Sequence, residues 1–216
     1  MKVLMLNGSP HAEGTTFAAL SEIAATLNEE GIETEIAQVG VTALNGCTAC
    51  MKCGALGKCA LGDNDGVNAF MEKAESADGF IFGSPVHYAG AAGAFVAFMD
   101  RLFYAEGNSG KGRFYLKPAA AVVAARRGGT TAAFDQINKY FTVSNMPVVS
   151  SQYWNMVHGA NAADAKRDLE GMQAMRVLAR NMAWFLRCKE AGEKAGVPLP
   201  KKEERVRTNF IAPDRA

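Results

Sequence analysis

The chain has 216 residues, of which 49% are hydrophobic and 21% are charged, so one domain with a substantial buried core is expected. Its 23 Lys and Arg residues against 22 Asp and Glu residues leave almost no net charge, which argues against nucleic acid or an anionic membrane as partner. The N-terminal apolar run is too short for a signal peptide, and no run approaches the roughly 20 residues of a membrane span. We therefore expect a cytoplasmic protein.

Strands and helices alternate along the chain from its start. Strands are predicted at Lys2–Asn7, Glu33–Val39, Gly79–Gly83, Pro118–Ala125 and Pro147–Ser150. Helices are predicted over Thr15–Glu30, Val67–Ala77, Ala91–Tyr104, Thr130–Phe141 and within Ala163–Ala191. This alternation builds right-handed βαβ units and matches an α/β doubly wound, five-stranded parallel sheet in the order 2-1-3-4-5. We assign residues 1–195 to this domain and the proline-rich, charged residues 196–216 to a C-terminal arm.

The first strand runs through a polar loop directly into a helix, which is where an open parallel sheet binds ligands. A helix start offers unpaired N–H groups and the positive end of the helix dipole, and both favour a phosphate. Ser9, Thr15 and Thr16 add hydroxyl groups, while Gly8 and Gly14 allow the backbone to turn and approach a ligand. The loop contains neither G-x-G-x-x-G nor G-K-[ST]. It therefore favours a monophosphate over a dinucleotide, a nucleoside triphosphate or a simple helix cap.

Two further loops follow the third and fourth predicted strands, and the proposed strand order brings them beside the first. Pro85, Val86 and Tyr88 in the earlier loop can form an apolar wall for a planar ring. Gly128 and Gly129 in the later loop allow the backbone to approach the edge of such a ring closely. An arginine beside them faces the ring, the phosphates of a nicotinamide cofactor, or solvent, and the sequence leaves these alternatives open.

The motifs in these three loops resemble those of NAD(P)H-dependent FMN reductases, a group of flavodoxin-like proteins, and most closely those of its iron-sulfur flavoprotein branch. They read L-N-G-S-P-x-x-x-G-T-T, G-S-P-V-x-Y and A-x-R-R-G-G-T-T, and the resemblance continues along nearly the whole chain. It implies a flavodoxin-like fold, FMN as cofactor, NAD(P)H as co-substrate, and a homodimer or homotetramer. The candidate cofactor-binding residues are Ser9, His11, Gly14, Thr15, Thr16, Pro85, Val86, His87, Tyr88, Ala125, Arg126, Arg127, Gly128 and Gly129.

Four of the five cysteines, Cys47, Cys50, Cys53 and Cys59, form a C-x2-C-x2-C-x5-C pattern. Four soft thiolates at this spacing suit a [4Fe–4S] cluster, and the iron-sulfur flavoproteins have a similar spacing. Zinc also accepts four thiolates, although its cysteine pairs are usually farther apart in sequence. A loop of free thiols without metal is the third alternative. Cys188, alone on the last predicted helix, is expected to be a packed thiol.

Two functions fit these features. The first is an FMN-dependent oxidoreductase that takes hydride from NAD(P)H and passes electrons to a small acceptor, such as a flavin, a quinone, or a nitro- or azo-aromatic compound. The flavin carries the chemistry, so no catalytic side chain is predicted. The alternative is an electron carrier that accepts electrons from ferredoxin through a [4Fe–4S] cluster. Tyr153 and Trp154 are candidates for the walls of the acceptor site, although Trp154 is equally compatible with the core.

Overall fold

The computed structural model describes residues 1–41, 43–201, 203, 204, 206 and 208. Within these residues, the strands are β1 (Lys2–Asn7), β2 (Glu33–Gln38), β3 (Gly79–His87), β4 (Gly90–Ala91), β5 (Ala119–Ala125) and β6 (Met156–His158). The helices are α1 (Thr15–Glu29), α2 (Cys53–Leu56), α3 (Val67–Ala74), α4 (Gly93–Ser109), α5 (Thr130–Val143), α6 (Ala162–Arg167) and α7 (Leu169–Lys194). No helix in this described part is long and apolar enough to span a bilayer.

The strands form one sheet in the order β2-β1-β3-β5-β6, in which all neighbours are parallel, while β4 pairs antiparallel with β3. This confirms the predicted flavodoxin-like order, since β5 and β6 are the fourth and fifth parallel strands. Alternate strand residues enter two separate cores, one on each face of the sheet. Phe80 and Phe82 pack in the core beneath α3, α4 and α5, whereas Ile81 packs in the core beneath α1 and α7.

The third strand is longer than predicted. We expected it to end at Gly83, because the following Gly-Ser-Pro sequence is typical of a turn. Instead, Ser84 and Pro85 continue the parallel ladder with β5, and the strand then folds back through β4. Pairing with β5 therefore extends β3 although its sequence favours a turn. The second predicted loop consequently lies farther along the chain, in the hairpin between β3 and β4.

The fifth strand was placed wrongly at Pro147–Ser150. That segment forms a single parallel bridge between Val148 and Ala119, and the paired strand is Met156–His158. Residues 150–155 leave the sheet between these two segments. The last predicted helix is also divided, because the Asp168 carboxylate accepts a hydrogen bond from the Gly171 N–H and caps α7. The boundary before the C-terminal arm stays a prediction, since most residues beyond 201 lie outside the described part.

Candidate functional site

The loop after β1 is held in shape by Asn7, the last residue of that strand. Its side-chain Nδ2 donates to Gln38 Oε1 at 2.6 Å, and its Oδ1 accepts from the Ser9 N–H at 3.2 Å. The Ser9 hydroxyl accepts from the His11 N–H at 3.1 Å, which leaves the hydroxyl proton available to another acceptor. The loop therefore folds on its own polar groups, and its exposed tip at His11 faces solvent.

The start of α1 has unused hydrogen-bonding capacity. Gly14 occupies the N-cap position and provides no side-chain cap, so the first N–H groups of the helix lack a partner of that kind. The Thr16 side chain in the first turn is only 1% exposed, and its hydroxyl has no partner among the described residues. An unsatisfied buried hydroxyl costs about 1–3 kcal/mol. A phosphate oxygen is the kind of acceptor that would supply the missing partner, so these residues fit the phosphate of FMN.

Two other residues of this loop are used for packing. The Thr15 hydroxyl donates to the Gly159 carbonyl at 3.2 Å and so ties α1 to the chain beyond β6. A Cβ atom on Gly8 would lie 2.2 Å from the Phe95 ring, and the Gly8 N–H donates to the Gly83 carbonyl at 2.7 Å. The core therefore requires glycine at position 8, and the approach of a ligand to this residue stays a prediction.

The hairpin between β3 and β4 presents a strained turn. Its two central residues, Tyr88 and Ala89, have φ values of 49° and 60°, between the paired residues His87 and Gly90. Such turns usually contain Asn-Gly, because non-glycine residues are disfavoured at positive φ. Tyr88 is 108% exposed, so its whole ring projects from the protein. Strain of this kind is often found at ligand sites, which is consistent with a wall beside a ring.

The loop after β5 lies directly against this hairpin. Gly129 has a φ of +93°, and a Cβ atom there would lie 2.6 Å from Ala89 Cα and 2.9 Å from a Val86 methyl group. Only glycine allows the second and third predicted loops to touch in this way. Gly129 is also the N-cap of α5 and provides no side-chain cap, so this helix start points its N–H groups toward the same region.

The three loops therefore lie at one edge of the sheet, as predicted. Ala125 and Thr130 are buried at the base of the third loop, whereas Arg126, Arg127 and Gly128 are exposed at its tip. Neither arginine forms an ion pair with a described carboxylate, so both remain available to an anionic ligand. The structure brings the predicted residues together, and their individual contacts with FMN stay predictions.

The four-cysteine loop lies elsewhere, against α4. Cys47 and Cys50 are exposed, Cys53 and Cys59 are buried, and all four line one cavity of about 20 Å³. Such a cavity is about the size needed for one water molecule. The loop is strained here as well, because Ala49 and Met51 have φ values of 50° and 61°.

Backbone amides of this loop point at its sulfur atoms. A hydrogen bond from the Lys52 N–H lowers the pKa of the Cys50 thiol below its usual value, with a smaller contribution from Thr48. Burial raises the pKa of Cys53, although the N–H groups of Cys53 and Gly54 partly oppose that effect. Amide donors directed at sulfur are a common feature of iron–sulfur sites, where they influence the reduction potential.

Arg101 is the residue of this site that the sequence did not reveal. Its side chain is on α4, is only 1% exposed, and lines the cysteine cavity. Its Nε donates to Cys59 Sγ at 3.2 Å and its Nη1 bonds to the Asp65 carboxylate, whereas its Nη2 has no partner among the described residues. Burial opposes the charge, but the hydrogen bonds to Asp65 and Cys59 outweigh it and raise the pKa of Arg101. A permanent cation thus faces the thiols.

The fourth cysteine is fixed by a second buried side chain. Asn68 donates to the Cys59 carbonyl at 3.0 Å and to the Gly62 carbonyl at 3.1 Å, and its Oδ1 accepts from the Cys59 N–H at 2.9 Å. Asn68 also donates to the Asp63 carboxylate. Cys59 is therefore held in place before any metal binds.

A zinc site is not formed by this geometry. No three His, Cys, Asp or Glu residues in the described part of the chain are grouped closely enough to hold one metal ion. A [4Fe–4S] cluster differs, because each of its thiolates binds a separate iron and the sulfurs are spread more widely. The cavity is too small for a cluster as it stands, while four thiols, amide donors and a buried cation suit one chemically.

Cys188 is exposed on α7, so the expectation that it is packed was wrong.

Comparison with known proteins gives a relative in sequence and several matches in fold. The iron-sulfur flavoprotein MJ1083 of Methanocaldococcus jannaschii is 33% identical over 193 residues, which cover 85% of this chain and 96% of that protein. Among solved structures, RosB with a bound flavin-derived intermediate aligns with a TM-score of 0.66 and 16% identity, covering 99% of this chain and 93% of RosB. At this identity the likeness concerns the fold alone.

A longer protein shares the fold as well. Rubredoxin oxygen:oxidoreductase from Desulfovibrio gigas aligns with a TM-score of 0.57 and 16% identity, covering 88% of this chain, which spans only 37% of that protein. The sequence matches the family described as NADPH-dependent FMN reductase over residues 1–161. The protein therefore belongs to the NADPH-dependent FMN reductase family.

Proposed function

We propose that this protein is an FMN-dependent oxidoreductase that binds the FMN phosphate in the loop between β1 and α1. The observation that carries the proposal is the buried hydroxyl of Thr16, which lies in the first turn of a helix without a side-chain cap and has no partner in the part of the chain that the structure describes. A phosphate would satisfy both this hydroxyl and the helix N–H groups. Membership of the FMN reductase family supports the same cofactor.

The protein's own residues would hold and orient the flavin, which supplies hydride and single-electron chemistry when bound. Ser9, Thr16 and the first amides of α1 would bind the phosphate. The Tyr88 ring and Val86 would border the ring system, and the N–H groups at Gly128 and Gly129 would favour negative charge along its edge. These roles require no side chain that acts as an acid or base.

For the donor and acceptor we propose NAD(P)H and a small organic compound. Support comes from the family name and from the exposure of Tyr88, Arg126 and Arg127, which leaves room for two substrates to alternate beside the ring. The overall reaction transfers two electrons and two protons, so a quinone acceptor would leave as the hydroquinone. The homodimer or homotetramer implied by the resemblance belongs to the same proposal and can be measured by light scattering.

A second candidate is electron transfer through a [4Fe–4S] cluster held by Cys47, Cys50, Cys53 and Cys59, with ferredoxin as donor. The observation that favours it is Arg101, a buried cation in a cavity lined by all four thiols, one of whose nitrogens has no partner among the residues that the structure describes. A cluster with four thiolates carries net negative charge, which this cation would offset. Relatives named iron-sulfur flavoproteins support this candidate as well.

One preparation distinguishes the two candidates. The protein is purified without oxygen, the flavin released on denaturation is identified, and iron and acid-labile sulfide are measured. FMN with rapid bleaching by NADPH and no iron would support the first candidate. FMN with about four irons per chain and slow bleaching by NADPH would support the second. FAD, or a protein without flavin that does not bind added FMN, would contradict both.

A further inference from the structure

A cleft of about 590 Å³ opens at the outer edge of the sheet, beside β6. Small-molecule sites usually have volumes of roughly 300–1,000 Å³. Neither the phosphate loop nor the cysteine loop lines this cleft. Its walls come from the start of α5, the segment before β6, β6 itself and the start of α7. The lining residues include Thr130, Thr131, Tyr153, Trp154, His158 and Asp168.

One wall of the cleft is aromatic. The ring centroids of Tyr153 and Trp154 are 4.9 Å apart at an angle of 59°, and Trp154 is 51% exposed, so it does not belong to the core. The next residue anchors this pair, because buried Asn155 donates from Nδ2 to the Ala121 carbonyl at 3.1 Å. The Asn155 carbonyl in turn accepts from the Val123 N–H at 3.0 Å. The sheet therefore holds the aromatic pair out toward solvent.

The facing wall is polar. Thr130 and Thr131 form the first turn of α5, whose N-cap provides no side-chain hydrogen bond. The half-buried Asp168 carboxylate is already occupied, because it accepts from the Gly171 N–H at 2.9 Å and from the His158 N–H at 2.6 Å. Glu170 also lines the cleft with an exposed carboxylate, so the donors that the oxygen atoms of a ligand would meet are the Thr130 and Thr131 hydroxyls and the first N–H groups of α5.

The cleft adjoins the proposed flavin loop. Thr130 directly follows Gly129, which contacts the Tyr88–Ala89 turn. On the other side, Gly159 follows β6 and donates its N–H to the Ala125 carbonyl at 3.0 Å. A molecule in the cleft would therefore lie beside the residues proposed to hold the ring of FMN.

We propose that this cleft binds the electron acceptor, and that the acceptor is a planar aromatic compound with carbonyl or nitro oxygens, such as a quinone. The ring stacks on Trp154, and an oxygen accepts hydrogen bonds from the start of α5. This assignment rests on the proposed oxidoreductase function and gives its acceptor a binding site. It also gives a purpose to an aromatic pair whose two rings are about half exposed.

The chain offers a built-in test, because its two tryptophans are Trp154 and Trp184. Trp184 is on α7 and is 66% exposed, so random collisions with a quencher should affect it at least as strongly as Trp154. The holoprotein variants Trp184→Phe and Trp154→Phe each keep one reporter. With menadione as the probe, we expect saturable quenching in Trp184→Phe and only linear quenching in Trp154→Phe.

A blocking variant makes the test specific to the cleft. Thr131→Phe in the Trp184→Phe background should weaken menadione binding about 10-fold or more, which corresponds to about 1.4 kcal/mol. Thr142→Phe is the matched control, because Thr142 is also exposed on α5 but does not line the cleft, and it should leave binding unchanged.

Three results would overturn the proposal: linear quenching of both tryptophans, equal binding in the two threonine variants, or Trp154 emission that changes with protein concentration. The last result would mean that a second copy of the chain covers the cleft. FMN occupancy is measured in every variant. If the unmodified protein does not bind added FMN while Trp184→Phe still shows saturable quenching, the oxidoreductase proposal is contradicted and the cleft remains a binding site.

Discussion

The phosphate loop and the cysteine loop of this protein are built in opposite ways. The phosphate loop joins a central strand to a long helix, and its binding groups are mostly backbone amides at the start of α1. The cysteine loop has only the four-residue helix α2 of its own, with two exposed thiols and two buried ones. Its shape depends on Arg101 and Asn68, which come from α4 and α3.

This difference indicates how robust each site should be. Amides at a helix start are placed by the fold, so substitutions of single side chains there should change ligand affinity more than structure. A loop positioned by two buried polar side chains depends on both of them, because an unpaired buried charge or amide is costly. The predictions below test this contrast from the largest expected effect to the smallest.

The largest effect is expected at the cysteines. Cys50→Ala should abolish any bound iron while FMN content stays unchanged, because the [4Fe–4S] cluster of the second candidate requires its four thiolates. The matched control is Cys188→Ala, which changes the other exposed cysteine, on α7, and should affect neither. Iron, sulfide and flavin are measured in anaerobically purified protein. Stoichiometric iron in Cys50→Ala would remove this residue from the ligand set.

At the phosphate loop, Thr16→Glu should reduce FMN affinity about 1,000-fold. A carboxylate about 4 Å from a phosphate charge costs about 4 kcal/mol at an effective dielectric constant of about 20. Ala25→Glu places the same charge on an exposed position of α1 and should have little effect. Affinity is measured by the quenching of FMN fluorescence.

Because residue 16 is buried, Thr16→Val separates binding from folding. It removes a hydroxyl without a partner, so the apoprotein should be as stable as before or slightly more stable, while FMN binds about 10-fold more weakly. Unfolding in urea and FMN titration measure the two effects. A destabilised apoprotein with unchanged FMN affinity would contradict our placement of the phosphate.

An effect comparable to that of Thr16→Glu is expected at the arginine of the cysteine loop. Arg101→Gln should lower the free energy of unfolding by about 3–5 kcal/mol, because it leaves Asp65 without its buried partner, and it should also lower iron content. Arg113→Gln breaks another buried pair, with Glu106, and should cost similar stability while iron is retained. Equal iron content in both variants would mean that Arg101 acts on the fold and not on the thiols.

The smallest effect is expected at the hairpin beside the ring loop. Ala89→Gly should raise the free energy of unfolding by about 0.4–1 kcal/mol, since glycine tolerates the positive φ of this position. Ala132→Gly, at an exposed helical position in α5, should lower it by a similar amount. Thermal unfolding measures the change in stability of both variants. If both variants are more stable than the unmodified protein, strain at Ala89 is not the cause.

Features that depend on local sequence could be predicted. β1 was predicted with both of its bounds, because its apolar run is bordered by a lysine and by a polar loop. The strand order followed from the alternation of strands and helices, and so did the meeting of three loops at one edge. The cysteine spacing was visible directly. These signals depend on residues that are close together in the chain.

Features that depend on distant neighbours could not be predicted. The end of β3 is fixed by pairing with β5, and β6 is fixed by the anchor of Asn155 in the sheet. Arg101 resembled any charged residue of an amphipathic helix, although its place three residues after buried Phe98 hinted that it borders the core. The Tyr88–Ala89 turn lacks the Asn-Gly sequence that would have indicated it.

The most direct test of the phosphate site compares the binding of FMN and riboflavin to the apoprotein, since the two differ only in the phosphate. If the loop between β1 and α1 holds that group, FMN should bind at least about 100-fold more tightly, which corresponds to about 2.7 kcal/mol. This preference should largely disappear in Thr16→Glu. Equal affinity for the two flavins in the unmodified protein would contradict the site.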